Sequence, residues 1–271
     1  MTSALKTVAA LDPPPGHIGW LAETIRRNRF MPMPPAERLF VGDGDYRAIG
    51  AEFLHHAVTL GGLAPNARVL DIGCGIGRLA VPLTQYLDPD RGTYDGIDPV
   101  LSGIEWCQQT ITPAYANFRF RHLDVRHAIY NPAGTIDGES VTLPFADRSM
   151  DFITLISVAT HLKVAEIARY LGEASRLLAD GGTVLLTAFV MTELVAARGR
   201  DPRLTFEKGG DAWHADAANP LGAVGLDDGV IEAFAGAANL EVRRKALGHW
   251  RGRPAAHYQD IFILEKRREA K

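Results

Sequence analysis

The chain has 271 residues, 46% of them hydrophobic and 23% charged, and its net charge at pH 7 is −3. This length allows one large core, or one domain with a cap, and the composition is that of an ordinary soluble globular protein. A balance so close to neutral argues against nucleic acid or an anionic membrane as partner, and no apolar run approaches the ~20 residues of a membrane span. The two cysteines, Cys74 and Cys107, are too few for a metal site and are typical of a reducing compartment, so we expect a cytoplasmic protein.

The pattern of apolar residues predicts alternating helices and strands after a proline-rich start. Residues 1–45 contain six prolines and predict an N-terminal extension or lid with one short helix near 18–27. Residues 46–271 are predicted to form a single domain. In chain order its elements are helix 46–60, strand 68–71, helix 77–87, strand 93–98, helix 100–110, strand 118–123, strand 151–157, helix 163–178, strand 183–189, helix 227–238 and strands 240–247 and 259–265.

Such alternation is typical of a doubly wound α/β fold, in which a mostly parallel sheet lies between two layers of helices. The last two strands follow each other without a helix between them. This favours an antiparallel hairpin, because a parallel return needs a crossover of about a dozen residues or more, usually a helix. We therefore expect a seven-stranded sheet whose last strand is antiparallel.

A glycine-rich turn follows the first strand, in the run RVLDIGCGIGRL over 68–79. Glycines at 73, 75 and 77 permit backbone conformations and close approaches that a Cβ would block, as in nucleotide-cofactor loops. Asp71 at the strand tip can only accept hydrogen bonds when ionised, so it suits a ligand with donors or positive charge, such as S-adenosylmethionine. Arg78 stands where the dinucleotide motif has its last glycine, which disfavours a nicotinamide cofactor.

Further motifs occur at the expected places along the chain. They are GID at 96–98, HLDV at 122–125, LPFAD at 143–147, DF at 151–152 and LLADGG at 177–182. With these motifs the chain resembles the class I S-adenosylmethionine-dependent methyltransferases, and most of all their small-molecule branch, over about 46–190 and 227–265. The resemblance implies the Rossmann-like methyltransferase fold. Asp180 departs from the pattern, since the family usually has proline before the two glycines.

The resemblance also implies roles for residues at the strand ends. Asp98 would accept from both ribose hydroxyls, and its distance from the glycines fits that role. Asp124 would accept from the adenine amino group beside the Val125 amide, and Ser157 would lie near the methionine moiety. The predicted cofactor-binding residues are Asp71, Gly73, Cys74, Gly75, Gly77, Asp98, Asp124, Val125 and Ser157.

Transfer of a methyl group to a hydroxyl oxygen needs a general base, whereas a carbon, amine or thiolate acceptor does not always need one. His161 follows the fourth strand at the ligand edge of the sheet and is the candidate base. The alternative is that it only packs or positions its neighbours. The predicted acceptor-binding residues are Tyr130, Trp213, His249, Arg253 and Tyr258.

Two insertions interrupt the plain fold, at about 126–141 and 191–226, and both leave the sheet at its ligand edge. Long segments of this kind are usually functional lids or disordered, so we expect a small substrate cap that excludes water from the reaction. The proline-rich arm can cover a neighbouring subunit as easily as its own site, which leaves a homodimer open.

The sequence therefore predicts an enzyme that moves a methyl group from S-adenosylmethionine to a small molecule, leaving S-adenosylhomocysteine. A hydroxyl of a sugar or secondary metabolite is the expected acceptor, with carbon or nitrogen methylation as the alternative. A nicotinamide-dependent oxidoreductase is disfavoured by Arg78 and by the lack of a Tyr-x-x-x-Lys pair. A cofactor-binding protein without catalysis is the remaining alternative.

Overall fold

The structure, a computed structural model, describes residues 17–28, 31–40, 42, 44–192 and 204–267. Residues 1–16 of the predicted extension and residues 193–203 of the second insertion lie outside the described residues. The described strands are β1 Arg68–Ile72, β2 Thr93–Asp98, β3 Phe118–His122, β4 Met150–Leu155, β5 Leu178–Met191, β6 Glu207–Gly209, β7 Ala212–His214, β8 Val224–Asp227, β9 Leu240–Ala246 and β10 Asp260–Lys266. The described α-helices are α1 Ile18–Arg27, α2 Tyr46–Thr59, α3 Ala80–Leu83, α4 Leu101–Thr110, α5 Val164–Leu177 and α6 Val230–Ala237.

Seven of these strands form the central sheet. Strands β3, β2, β1, β4 and β5 lie side by side in that order, and all four pairs are parallel. Strand β10 pairs with β5 in the antiparallel sense and carries β9 on its other side. The mostly parallel sheet with an antiparallel last strand is confirmed.

The two faces of the sheet are covered by different helices, because successive side chains of a strand point to opposite sides. In β1, Leu70 and Ile72 belong to the core layer under α5 and α6, whereas Val69 belongs to the layer under α2 and α4. Both sides of β1 are buried, which explains its nearly continuous apolar sequence. In the part of the chain that the structure describes, no helix has the length and apolar content to cross a membrane.

The helix predicted over 77–87 is only the short α3, flanked by turns. Pro82 has no N–H to donate to the carbonyl of Arg78, so the first full helical turn lacks a hydrogen bond. After Pro82 the backbone tightens, with Gln85 N–H bonded to the Pro82 carbonyl and Tyr86 N–H to the Leu83 carbonyl. These bonds span three residues instead of four and end the helix early.

The second insertion contains strands that the sequence did not predict. Strand β5 is 14 residues long and extends past the central sheet. Its last residues, Phe189 to Met191, pair in parallel with β8, and β8, β7 and β6 continue as an antiparallel meander. The second insertion therefore forms a small sheet that is continuous with β5, and its role as a substrate cap stays a prediction.

Candidate active site

The carboxyl ends of β1, β2 and β4 open onto a cleft of about 610 Å³. The chain proceeds from β1 to β2 and β3 on one side, and returns to β4 and β5 on the other. Ligands of open α/β sheets bind where the strand order reverses in this way, outside the carboxyl ends of the strands. The volume lies in the range of small-molecule and cofactor sites.

The glycine-rich turn lies in this cleft and needs its glycines. Gly73, Gly75 and Gly77 have φ angles of +75°, +57° and +76°, in the left-handed region. A Cβ on Gly73 would lie 2.4 Å from Cγ2 of Val158, and a Cβ on Gly77 would lie 3.0 Å from Sγ of Cys107. Gly73 and Gly75 line the cleft together with Cys74, whereas Gly77 is not among its lining residues.

Asp71 lies at the base of the cleft with only 2% of its surface exposed. Its carboxylate accepts from the Tyr94 hydroxyl and from the Thr154 hydroxyl, both at 2.6 Å. Burial raises the pKa of Asp71 to about 6, although the two hydroxyl groups oppose that shift. A carboxylate held in this way at a ligand site favours a positively charged group or a hydrogen-bond donor as its partner.

Asp98 ends β2 on the same side of the cleft. Its Oδ2 accepts from the Gly75 N–H at 2.7 Å, and its Oδ1 accepts from the Val100 N–H at 2.8 Å. Burial raises its pKa to about 6, with the two backbone donors acting in the opposite direction. Each carboxylate oxygen can accept a further bond, so Asp98 has the capacity to hold a pair of hydroxyl groups.

Asp124 does not line the cleft, although its neighbours Leu123 and Val125 do. Its carboxylate turns into the first insertion, where it accepts from the Thr135 hydroxyl at 2.6 Å and from Asn131 Nδ2 at 3.0 Å. These side-chain hydrogen bonds lower its pKa. Binding of the adenine amino group by Asp124 therefore stays a prediction.

Ser157 lies two residues beyond β4 with a φ of +57°, which few residues other than glycine adopt. Its N–H donates to Thr187 Oγ1 at 2.7 Å, and its hydroxyl donates to Gln259 Oε1 at 3.1 Å. The Thr187 hydroxyl donates to the same amide oxygen. Ser157 and Gln259 both line the cleft. Sequence reasoning missed Gln259, because no motif marks a glutamine 102 residues away from its partner.

The candidate base His161 lies in a short 3₁₀ turn over Ala159–His161 and lines the cleft. Its Nδ1 is 3.0 Å from the carbonyl oxygen of Leu221, in the second insertion. A carbonyl only accepts, so Nδ1 carries the proton and Nε2 of the neutral ring has a free lone pair. Burial lowers the pKa of His161, which favours this neutral form. Within the described residues, Nε2 has no hydrogen-bond partner.

A second histidine, His127, supports the turn that contains His161. His127 Nδ1 accepts from the N–H groups of Ile129 and Tyr130, at 3.2 and 3.3 Å. Its Nε2 is therefore the protonated nitrogen, and it donates to the carbonyl of His161 at 2.7 Å. The Tyr130 ring stands perpendicular to the His161 ring, with centroids 5.4 Å apart. The first insertion thus holds His161 at the cleft.

The structure brings together three of the five predicted acceptor-binding residues. Tyr130, His249 and Tyr258 line the cleft with His161. Trp213 lies in β7 and its Nε1 donates to Asp227 Oδ1 at 2.7 Å, away from the cleft lining. Arg253 is exposed and also lies off the lining. Acceptor binding by Trp213 and Arg253 stays a prediction without support from the cleft geometry.

Comparison with known proteins identifies the family. Residues 45–222, about two thirds of the chain, match the family model described as a methyltransferase domain. The chain belongs to this family, within the class I S-adenosylmethionine-dependent methyltransferases, as the sequence motifs predicted. Its cofactor is S-adenosylmethionine, and two buried acceptor carboxylates beside a glycine-rich turn fit the hydroxyls and positive charges of that molecule.

The individual relatives are distant. The sterol 24-C-methyltransferase erg-4 of Neurospora crassa is 26% identical over 171 residues, which cover 62% of this chain and 40% of that protein. The tRNA N(3)-cytidine methyltransferase METTL2 of Xenopus tropicalis is 24% identical, over 54% of this chain and 40% of its own. The chain thus aligns with less than half the length of these relatives. The solved structure of the PH0226 protein from Pyrococcus horikoshii OT3 shares the fold, with a TM-score of 0.59, 14% identity, and coverage of 85% of this chain and 95% of that chain.

Proposed function

We infer that this protein methylates a hydroxyl oxygen of a small molecule, such as a sugar or a secondary metabolite, and that His161 is the general base. The observation that carries this proposal is the hydrogen bond from His161 Nδ1 to the Leu221 carbonyl. That bond selects the tautomer whose Nε2 has a free lone pair, at the wall of the cofactor cleft.

The bound cofactor supplies a methyl group on a sulfonium, which is open to in-line displacement. The chain's part is to hold the acceptor oxygen in line and to take its proton. In this proposal the proton passes from the acceptor hydroxyl to His161 Nε2, while Nδ1–H stays bonded to Leu221. Burial of His161 lowers its pKa, so the base is unprotonated at neutral pH and ready to act.

The size and walls of the cleft support a small acceptor. The lining includes Tyr130 from the first insertion, and His249 and Tyr258 from the segment between β9 and β10. These side chains combine aromatic surface with polar groups, as small-molecule sites do. The chain's net charge of −3 and the buried Asp71 and Asp98 of the cleft disfavour a nucleic acid as acceptor, although one relative is named for its action on tRNA.

Carbon methylation is the second candidate, because one relative is named as a sterol 24-C-methyltransferase. An electron-rich carbon can be methylated without removal of a hydroxyl proton. In that case His161 would orient the acceptor by a hydrogen bond. Its tautomer would still determine that Nε2 accepts in this bond, but no proton would be transferred to it.

The test is to incubate the protein with S-adenosylmethionine labelled with ¹³C at the methyl group and a panel of hydroxylated sugars, phenols and sterols. The chemical shift of the labelled methyl group in the product distinguishes an oxygen-bound from a carbon-bound or nitrogen-bound methyl. We expect an O-methyl signal. A C-methyl signal would overturn the proposal in favour of the second candidate.

A further inference from the structure

Arg78 lines the cofactor cleft and has no place in the function described above. It follows the glycine-rich turn directly, one residue after Gly77. Helix α2 packs closely on its backbone, since a Cβ on Gly50 would lie 2.3 Å from the Arg78 carbonyl oxygen. Its guanidinium lies beside the segment that precedes α2, since Nη2 donates to the Gly42 carbonyl. Among the described residues that line the cleft, it is the only arginine or lysine.

The guanidinium is poorly satisfied by the protein. Its Nε is buried without a hydrogen-bond partner, and Nη2 makes a long bond of 3.3 Å to the Gly42 carbonyl. Within the described part of the chain no carboxylate lies within ion-pair distance of it. Glu52 also lines the cleft, but its carboxylate is 3.5 Å from His56 Nε2.

The surroundings make this unpaired charge costly. Phe40, Ile49 and Phe53 line the same end of the cleft with apolar surface. Burial removes water from the guanidinium and so lowers the pKa of Arg78. A partly buried cation without a counter-ion is unfavourable, whereas a carboxylate placed against its free N–H groups would make charge-assisted hydrogen bonds. The site is therefore suited to an anion.

The cofactor carries one anionic group, the carboxylate of its methionine moiety. Its ammonium, sulfonium and hydroxyl groups suit the acceptors Asp71 and Asp98, but its carboxylate would be repelled by them. We propose that Arg78 binds the carboxylate of the methionine moiety of S-adenosylmethionine. The proposal rests on the cofactor and not on the nature of the methyl acceptor, so it stands or falls separately from hydroxyl methylation.

A binding experiment tests this without an acceptor. Calorimetry measures the Kd of S-adenosylhomocysteine and of its decarboxylated form, which keeps the amine and lacks only the carboxylate. In the unmodified protein we expect S-adenosylhomocysteine to bind more tightly. In R78M we expect its Kd to rise about 10- to 100-fold, as for loss of a charge-assisted hydrogen-bonded pair, while the Kd of the decarboxylated ligand changes less than about 2-fold.

Two further variants complete the test. R78K keeps the charge without the planar fork, and should recover part of the affinity for S-adenosylhomocysteine. R38M removes an exposed arginine that lies off the cleft lining, and should change neither Kd. Because the comparison is between two ligands on one protein, a general loss of folding would affect both.

Two results would overturn the proposal. If R78M weakens both ligands by the same factor, Arg78 supports the glycine-rich turn instead of the carboxylate. If R78M changes neither Kd, the carboxylate binds elsewhere, and the arginine faces the acceptor side. An O-methyl or C-methyl product in the labelling experiment bears on neither result.

Discussion

The two walls of the cleft are held by contacts of very different reach along the chain. The loop wall is formed by Asp71, Gly73, Gly75 and Asp98. Most of the hydrogen bonds that hold it join residues close to each other in the sequence; Gly75 and Asp98, for example, are 23 residues apart. The distal wall, formed by Ser157, His161 and Gln259, depends on partners 30, 60 and 102 residues away.

This difference explains why the loop wall is easier to recognise from a sequence than the distal wall. The loop wall belongs largely to one strand–turn–helix–strand unit, so its residue spacing is short and constant enough to read as a motif. The distal wall forms only when the second insertion and the β9–β10 segment have returned to the sheet, which closes long loops. Its chemistry is therefore a property of the tertiary structure.

Among the variants of the distal wall, His161→Gln should have the largest effect. If Nε2 takes the acceptor proton, turnover should fall about 10²- to 10⁴-fold, the usual contribution of general base catalysis. The loop wall is untouched, so the Kd of S-adenosylhomocysteine should stay within about 2-fold. Steady-state kinetics with the acceptor found by the labelling experiment gives the first value, and calorimetry gives the second. Full turnover in this variant would make His161 a packing residue.

The pH dependence of turnover gives a second test of His161 as the general base. Burial lowers the pKa of His161 below its usual 6.5, so the ring is neutral at pH 7 and becomes protonated only in more acid solution. Activity should therefore be constant from pH 7 to 8 and fall as pH drops below 6.5, about tenfold per unit once the base is mostly protonated. Measurements use saturating cofactor, because Asp71 and Asp98 also titrate near pH 6. A midpoint above pH 7 would contradict the assignment.

Asp71→Asn tests the loop wall. The folded-state pKa of Asp71 is about 6, against about 3.9 in an unfolded chain. The folded protein binds this proton more tightly, so the free energy of unfolding falls as pH rises from about 4 to 6, by roughly 2 kcal/mol. The variant should raise the free energy of unfolding of the cofactor-free protein at pH 8 by about 1–2 kcal/mol. Of the Tyr94 and Thr154 hydroxyls, one can still donate to the amide oxygen and the other can turn to accept from the amide NH₂.

The same variant removes a negative charge from the cofactor site. We expect the Kd of S-adenosylhomocysteine to rise about 10-fold, because a charged hydrogen-bond acceptor is lost. Urea unfolding at pH 5 and pH 8 measures the stability effect, which should be absent or reversed at pH 5. An equal loss of stability at both pH values would show that the hydroxyl bonds to Asp71 outweigh its burial.

The fold was largely predictable, because it rests on apolar periodicity. The strands of the central sheet and the antiparallel last strand follow from that pattern, and the positions of Asp71 and Asp98 follow from the strand ends. The short strands β6 and β7 have three residues each, and β6 is fully exposed, so they carry no periodic signal. The late start of α3 at Ala80 was readable in principle from Pro82, which has no N–H to donate to the Arg78 carbonyl.

The sequence named several residues of the cleft, including Tyr130, His249 and Tyr258, but not the contacts that orient its side chains. Asp124 follows β3 as the motif requires, but local hydrogen bonds from Thr135 and Asn131 turn it into the first insertion. The tautomer of His161 depends on the backbone carbonyl of Leu221, and a carbonyl leaves no mark in a sequence. Gln259 was missed because its partners meet it only in the folded sheet.

Gln259 therefore offers the smallest and most specific test of the distal wall. Its amide oxygen accepts from the Ser157 and Thr187 hydroxyls, and the Thr187 oxygen in turn accepts from the Ser157 N–H. This order of donors and acceptors directs the amide oxygen toward the two hydroxyls. The amide NH₂ is left as a donor at the cleft, without a partner among the described residues. We expect the NH₂ to orient the acceptor.

Gln259→Leu should raise the KM for the acceptor about 3- to 10-fold, the value of one hydrogen bond, with little change in kcat. The Kd of S-adenosylhomocysteine should not change. Gln259→Glu is the matched control, because its carboxylate still accepts from both hydroxyls but presents an acceptor to the cleft. It should raise KM at least as much. If Gln259→Glu behaves like the unmodified protein, the amide acts only by holding Ser157 in its left-handed conformation, and the distal wall orients the acceptor through other residues.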